Sequence, residues 1–598
     1  MALLNTEQAF LSALKLHKEN NLSSAEELYK SILKQSPNHA LALTLLGTIS
    51  IQRKKPKQAI EFFNKSIQSN PQEPLSFCNL GIAEYQLKRY ESSLKNLNLA
   101  IKFKPDYAEA FNAKGNTLRK LGQNNLALES FNFALLINPN FIDAYLNRGD
   151  LFIELNRFSE AHNDYRNAAT VNPPNEIAIM KYADFLMDYQ NYDKALIEFK
   201  KLIKINPRDI NALLNCAVCY EKCKNVDEAM RHYDLILNID TNNIKALNNK
   251  GFIYQNYGNF KKALNLYQKV LEINPYYPLT LLNIGVINLA KNKFNEGWKN
   301  YSYRLNNLEN RIHLSSSKPE LLEFNVSNKT IFAWAEQGLG DQIIYASLLP
   351  EAFKTKNNFY VSLEPRLLPL FKRSFSCVNN VTFISGAEKL LDSKYDYQLP
   401  MGSLGKFFRN SIKDFSSQPT GYLKADETQV NLLKQKIKKN KKNICGIAWM
   451  SKNKEFGEEK SLSLTQLLPI LSLPNTIFIN LQYGETSKEI KDILDQHGIE
   501  IISIDEIDNF NDIDALASLI EACDYIVTSS NVTAHIAGAL NKKTYLLLPY
   551  AYGKIWYWGE NDTHSLWYPS IEIYRNTNSN SWEKPIADLS ERLRVSYA

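Results

Sequence analysis

Two stretches of this 598-residue chain have side chains suited to chemistry: Gln337-Gly338-Leu339-Gly340-Asp341, and Ser530-Asn531-Val532-Thr533-Ala534-His535. In the first, Gly338 and Gly340 let a backbone come close to a ligand. The helix expected after them offers unpaired N–H groups and the positive end of its dipole. Asp341, at the start of that helix, is either an N-cap or, at a cleft edge, the carboxylate that deprotonates a hydroxyl nucleophile. In the second, Ser530, Asn531 and Thr533 put short hydroxyl and amide groups at a strand-to-helix turn. Gly538 and its alanine neighbours allow tight helix-to-sheet packing, so the turn reads as an anion site that fits a diphosphate. His535, one turn into the helix, is suited to a phosphate or sugar oxygen, or is a satisfied core histidine.

A departing diphosphate needs positive charge opposite it. Ser451, Lys452, Lys460 and Ser461 follow the apolar run ending at Trp449, on a loop that would face the cleft, and each lysine is either a phosphate contact or a surface charge. Gln482, at the end of the next run, is a candidate reader of base or ribose. Trp556, Trp558 and Trp567 are candidates for stacking or for core packing.

The elements that must position these residues alternate strand and helix. Strands are expected at 331–335, 359–363, 381–384 and 395–399, with a helix from Gln342 to about Phe353 after the first. A second series is expected at 444–449, 476–481, 501–504, 525–528, 544–548 and 571–574. Two tandem α/β halves, 329–430 and 440–598, would enclose a cleft. The lysine-rich run 434–442 between them reads as a solvated helix face.

The first half of the chain is periodic instead. Pro37, Pro71, Pro105, Pro139, Pro173, Pro207 and Pro275 lie 34 residues or a multiple apart. In register run Gly47, Gly81, Gly115, Gly149, Ala183, Ala217, Gly251 and Gly285, and a third row from Ala25 to Ala263 closed by Gly297. Small residues mark close helix crossings, proline ends the second helix of each pair, and large residues four places after the third row (Tyr29, Phe63 and their successors) are expected to fill gaps between hairpins. The pattern resembles the tetratricopeptide repeat, with about nine hairpins over residues 1–308 and a polar linker at 309–328. Two residues before the small row, Asn79, Asn147, Asn215, Asn249 and Asn283 are expected to line the concave face, where an amide can donate to and accept from an extended peptide. Such a ladder resembles that of O-GlcNAc transferase, which holds acceptor polypeptide. Cys216, Cys219 and Cys223 have metal-like spacing but occupy packing positions of the repeat.

Residues 335–341, 530–540, 547–549, 556–558 and 566–570 together resemble the heptosyltransferase-like family 9 glycosyltransferases that bacteria fuse to tetratricopeptide repeats, over about residues 328–577. The resemblance implies a GT-B fold, no metal and no cofactor, Asp341 as the proposed base for inverting attack on a nucleotide-sugar, and Ser530, Asn531, Thr533 and His535 as the donor-binding loop. Heptosyltransferases proper carry Asp-Thr-Gly where this chain has Ser530-Asn531-Val532.

The expected fold class is therefore a helical tetratricopeptide superhelix followed by an α/β GT-B region, and the expected function is sugar transfer to a protein acceptor held by the groove. A repeat scaffold without turnover and a glycan-directed transferase, as in lipopolysaccharide assembly, are the alternatives. Lys+Arg 70 against Asp+Glu 63 leaves +7, too weak a field to argue for nucleic acid. Seven cysteines, an odd and sparse set, suit a reducing compartment. The start Met1–Glu7 lacks a basic, then apolar, leader, and no apolar run has bilayer-spanning length, so a cytoplasmic protein is expected.

Overall fold

The computed structural model describes residues 6–306, 314–386, 390–437, 442–453, 457–551, 555–576 and 581–597. The chain divides into two compact units, Met1–Thr241 and Asn242–Ala598. The division falls inside the periodic region, so the last two hairpins belong with the sheets.

Among the described residues, nine antiparallel helix pairs run from Thr6–Lys18 with Leu22–Gln35 to Pro278–Ala290 with Phe294–Tyr301. The glycine row makes each pair close. A Cβ at Gly47 would lie 2.4 Å from the Phe63 ring, at Gly115 2.5 Å from Phe131 and at Gly251 2.6 Å from Tyr267. The large residues thus pack into the crossing of their own hairpin, rather than between hairpins as the spacing alone implied. A further row is invisible by residue type. Asn20, Lys54, Lys88, Gly122, Asn156, Gln190, Lys224, Gly258 and Asn292, in the turns between paired helices, all have φ between 58° and 74°. That left-handed residue ends the first helix of each pair.

One acid in the first unit is poised to titrate. Glu221, at the end of Ile210–Lys222, accepts from the Tyr233 hydroxyl at 3.1 Å. Burial pushes its carboxyl up to about 7, against the opposing pull of Tyr233 and Lys222. The native state therefore binds this proton more tightly than the unfolded chain does. The stability it contributes is fully present below the unfolded value near 4.5 and is lost as the pH rises through about 7. Between pH 5 and pH 8 the urea midpoint of the first unit's transition should fall by the equivalent of about 2 kcal/mol, and Glu221→Gln should flatten that slope.

Both sheets are parallel. The first, in order β3-β2-β1-β4, contains β1 (Thr330–Trp334), β2 (Asn358–Leu363), β3 (Val381–Ser385) and β4 (Tyr397–Pro400). The second, in order β10-β9-β8-β5-β6-β7, contains β5 (Asn443–Ala448), β6 (Thr476–Asn480), β7 (Ile501–Ile502), β8 (Tyr525–Ser529), β9 (Thr544–Leu548) and β10 (Ile571–Arg575). Each order reverses once, next to β1 in the first sheet and between β5 and β8 in the second. In doubly wound sheets ligands bind beyond the carboxyl ends of the strands at such reversals. The expected helix after β1 is broken into Leu339–Ala346 and Leu349–Ala352, because Pro350 restarts it.

The end of the repeat array is built into the first sheet's lobe. Trp298 donates its indole N–H to the Arg409 carbonyl at 2.6 Å and packs edge-on against Trp556 and Trp567. Of the expected linker, 307–313 lie outside the described residues. Beyond them, Ser316 and Ser317 bond Asp392, and Leu321 bonds the Gln398 carbonyl at 2.8 Å beside β4. Within the lysine-rich run, 438–441 also lie outside the described residues, and Lys436 pairs with Glu506 at 2.7 Å. Among the described residues, no helix is long and apolar enough to cross a membrane.

Candidate functional site

The turn after β1 is held from three sides. Glu336, 5% exposed, accepts from Arg304 Nε at 3.1 Å and Nη2 at 2.8 Å, and from the Gly402 N–H at 3.0 Å. Arg304 comes from the short helix Ser302–Asn306 that closes the repeats, and it also donates to Ser403 Oγ at 2.9 Å. Gln337 donates to the Tyr301 hydroxyl at 3.1 Å, and that hydroxyl lies 3.0 Å from Tyr345's. Gln342 donates to the Gln337 carbonyl at 2.9 Å and accepts from the Glu364 N–H at 2.9 Å. Asp341 sits in the first turn of Leu339–Ala346, partly exposed at the end of this scaffold.

From the second sheet, the turn after β8 meets it. A Cβ on Gly340 would lie 2.9 Å from His535 Nε2, so the glycine is what lets the two lobes approach there. Asn531 caps Val532–Ala539 by accepting from the Thr533 N–H at 3.0 Å, and its own amide donates to the Met450 carbonyl at 3.3 Å. Ser530 accepts from the Trp558 indole at 3.0 Å. Ser529 Oγ and Thr533 Oγ1 are buried with no hydrogen-bond partner. Gly538 takes the Tyr568 ring, 2.4 Å from where a Cβ would stand.

Lys460 is 6% exposed, and its ammonium makes no hydrogen bond or ion pair with the described residues. Burial lowers its pKa, opposed by the nearby Asp341 and Glu459. Its charge also reaches His535, whose pKa falls to about 3, mainly through burial. The imidazole is neutral. Its Nδ1 lies 3.1 Å from the Tyr568 hydroxyl and its Nε2 3.2 Å from Tyr557's. Both ring nitrogens are thus engaged by protein, where the residue pattern had offered them to a phosphate or sugar oxygen.

Other sequence-stated candidates are placed differently as well. Gln482 is 2% exposed, and its oxygen accepts from the N–H groups of Trp449 and Met450 at 2.9 and 2.7 Å. Its nitrogen bonds the Tyr483 carbonyl at 3.1 Å, so the side chain braces the end of β5 instead of facing a base. Lys452 lies beside Gly484 and Glu485 in the loop after β6. Trp556, Trp558 and Trp567 are all buried in the core. Cys216 and Cys219 are buried packing residues, and among the described residues no three metal-ligating side chains cluster.

Four of the five asparagines bond a residue of the preceding hairpin, and Asn249 bonds its own neighbour Asn248. Asn79 donates to Thr48 at 3.2 Å, Asn147 to Asn112 at 3.0 Å and Asn215 to Asp184 at 3.2 Å in the first unit. In the second unit Asn283 donates to Asn248 at 3.4 Å, and Asn249 accepts from Asn248 at 3.3 Å. Each of these five is partly exposed except Asn283, which is buried. Arg304 and Tyr422 were not singled out from the sequence; Tyr301 was read only as a packing residue of the repeat, and Tyr557 and Tyr568 only as part of the segments that carry the family resemblance. The glutamate before Gln337 was the one visible hint, a charge directly after a buried strand.

Tetratricopeptide-repeat family models match residues 16–77, 82–122, 115–155, 146–210, 186–249 and 244–277, so the N-terminal half carries tetratricopeptide repeats. Among individual proteins, the chain is 26% identical over 324 residues to Protein FlbA of Caulobacter vibrioides, covering 52% of this chain and 54% of the relative. The chain thus spans about half the length of that relative. Among solved structures, it is similar to YrrB, described as a TPR protein with an unusual peptide-binding site (22% identity, 31% of this chain, 95% of that one, TM-score 0.28). It is also similar to the C-terminal part of a TPR repeat-containing protein from Cytophaga hutchinsonii (17% identity, 40% and 98%, TM-score 0.35).

Proposed function

We propose that the second unit is an inverting glycosyltransferase that moves a sugar from a nucleotide-sugar to an acceptor hydroxyl, with the asparagine-lined repeats presenting a polypeptide. The observation that carries this reading is the meeting of two strand-end turns: one bears Asp341, the other bears the unpartnered hydroxyls of Ser529 and Thr533, and the charge of the buried Lys460 ammonium acts on Asp341 and on His535. Asp341 takes the proton of the acceptor hydroxyl as its oxygen forms a bond to the anomeric carbon from the face opposite the leaving group. The bond from that carbon to the diphosphate breaks, and the electron pair leaves with the nucleoside diphosphate. Lys460, Ser529 and Thr533 meet the charge that develops there.

A thermal-shift panel of UDP-, ADP-, GDP- and CMP-sugars tests the donor half of the reading. One of them at about 100 times its Kd should stabilise the full chain by about 2.7 kcal/mol. Lys460→Gln should abolish most of that shift. Absence of a shift with all four would leave a repeat scaffold as the better description.

A further inference from the structure

We propose that Arg366 is a positioning residue for the transfer: it ties the turn that carries Asp341 in the first lobe to a turn of the second lobe, and so sets the angle at which the two walls of the cleft face each other. The strand-end turns already touch at one point, where Gly340 meets His535. A single contact fixes a separation and leaves rotation about it open. Arg366 supplies a second, distant point.

The path starts at the residue after Asp341. The Gln342 oxygen accepts from the Glu364 N–H at 2.9 Å while its nitrogen donates to the Gln337 carbonyl at 2.9 Å, which fixes the orientation of the amide. Glu364 directly follows β2, and its carboxylate accepts from Arg366 Nε at 2.8 and 3.0 Å. Arg366 Nη1 then crosses to the second lobe and donates to the Phe510 carbonyl at 2.8 Å, with the guanidinium 4.8 Å from the centre of the Phe510 ring. Each donor here is an N–H and each acceptor a carbonyl or carboxylate oxygen, so no bond on the path can reverse.

Phe510 is itself held in place. Asp508 accepts from the N–H groups of Phe510 and Asn511 at 2.9 and 3.0 Å. Asn509 donates to the carbonyls of Asn480 and Gln482, at the end of β6, at 3.2 and 3.3 Å. The Gln482 side chain accepts from the Met450 N–H, and the Met450 carbonyl accepts from Asn531, the cap of the helix that carries His535. The bonds thus run in a circuit from the Asp341 turn to the His535 helix, and Gly340 closes it. The side chains of Arg366 and Glu364 are 24% and 28% exposed, so their pairing adds little to stability. Its contribution is alignment, and a reacting group misplaced by about 1 Å can lose about 10²-fold in rate. The role in transfer rests on reading Asp341 as the base. The coupling of the two turns does not.

Hydrogen–deuterium exchange of the full chain without donor reads that coupling. Arg366→Met should speed exchange by about threefold or more in both 339–346 and 508–512, which belong to different lobes, and leave β1 and β6 unchanged. Faster exchange in one lobe alone, or in neither, would overturn the proposal. Arg366→Lys keeps the charge and loses the fork that spans Glu364 and Phe510, so it should exchange as Arg366→Met does. Wild-type exchange in the lysine variant would also overturn it. In transfer assays Arg366→Met should lower kcat by about tenfold or more with donor KM within about twofold. A loss carried by donor KM would make Arg366 a donor contact instead. Arg373 bridges the same lobes, donating to the Asp514 carboxylate and to the Lys424 carbonyl, by bonds that do not lead to the Asp341 turn. Arg373→Met should therefore lower kcat less than Arg366→Met, and equal losses would mean that both arginines merely hold the lobes together. A wild type inert with every donor would sink the glycosyltransferase reading and leave the exchange result standing.

Discussion

Asp341→Asn is expected to lower the rate of sugar transfer by about 10²–10⁴-fold while the donor still raises the melting temperature as it does in the wild type. The substitution keeps the shape and the hydrogen-bonding reach of the side chain and removes its capacity to hold a proton. The loss should fall on kcat, because the amide can still occupy the turn after β1 that Gln337 and Gln342 organise. On the proposed reading the donor is held by the opposite wall, by Lys460 and the hydroxyls after β8, so its binding should survive. Undiminished turnover in the variant would remove Asp341 as the base. Lost donor binding together with lost turnover would instead assign the carboxylate to holding Lys460 in place.

Arg304→Met is expected to destabilise the second unit by about 3–5 kcal/mol, and Glu336→Gln by a similar amount, read from denaturant midpoints of the full chain. Both side chains of this pair are 2% exposed, so removing one leaves an uncompensated buried group rather than a solvated one. Arg304→Met combined with Glu336→Leu should cost less than the two single changes added together, because neither charge then remains stranded. Additive costs would mean that the two groups act independently. The single variants should also cut transfer, since Glu336 immediately precedes Gln337 and the Asp341 turn hangs from it.

Much of this architecture could be read from residue order. The three rows at the repeat spacing placed every hairpin, because close crossings admit small residues and nothing else. The ten apolar runs became ten strands with ends shifted by a residue or two, since parallel strands buried on both faces are continuous hydrophobic segments. The two strand-end turns were legible because glycine before an acid and hydroxyls before a small-residue helix are unusual local chemistry. What could not be read is what needs partners distant in sequence. Arg304 finds Glu336 across 32 residues and Ser403 across 99, and no local pattern marks either. His535 and Gln482 carry the right atoms for a ligand, yet tyrosine hydroxyls satisfy the first and backbone N–H groups the second. Side-chain type states capacity, and the neighbours decide how it is used.

The place where the compact units divide bears on how such a chain can be reshuffled. A crossover before Asn242 exchanges hairpins and leaves Trp298, Tyr301 and Arg304 with the strands they brace. A crossover just ahead of β1 carries those three away and delivers the acidic turn without its foundation. The terminal hairpins therefore serve the sheets as a foundation, and only an exchange that keeps them together preserves the support of the acidic turn.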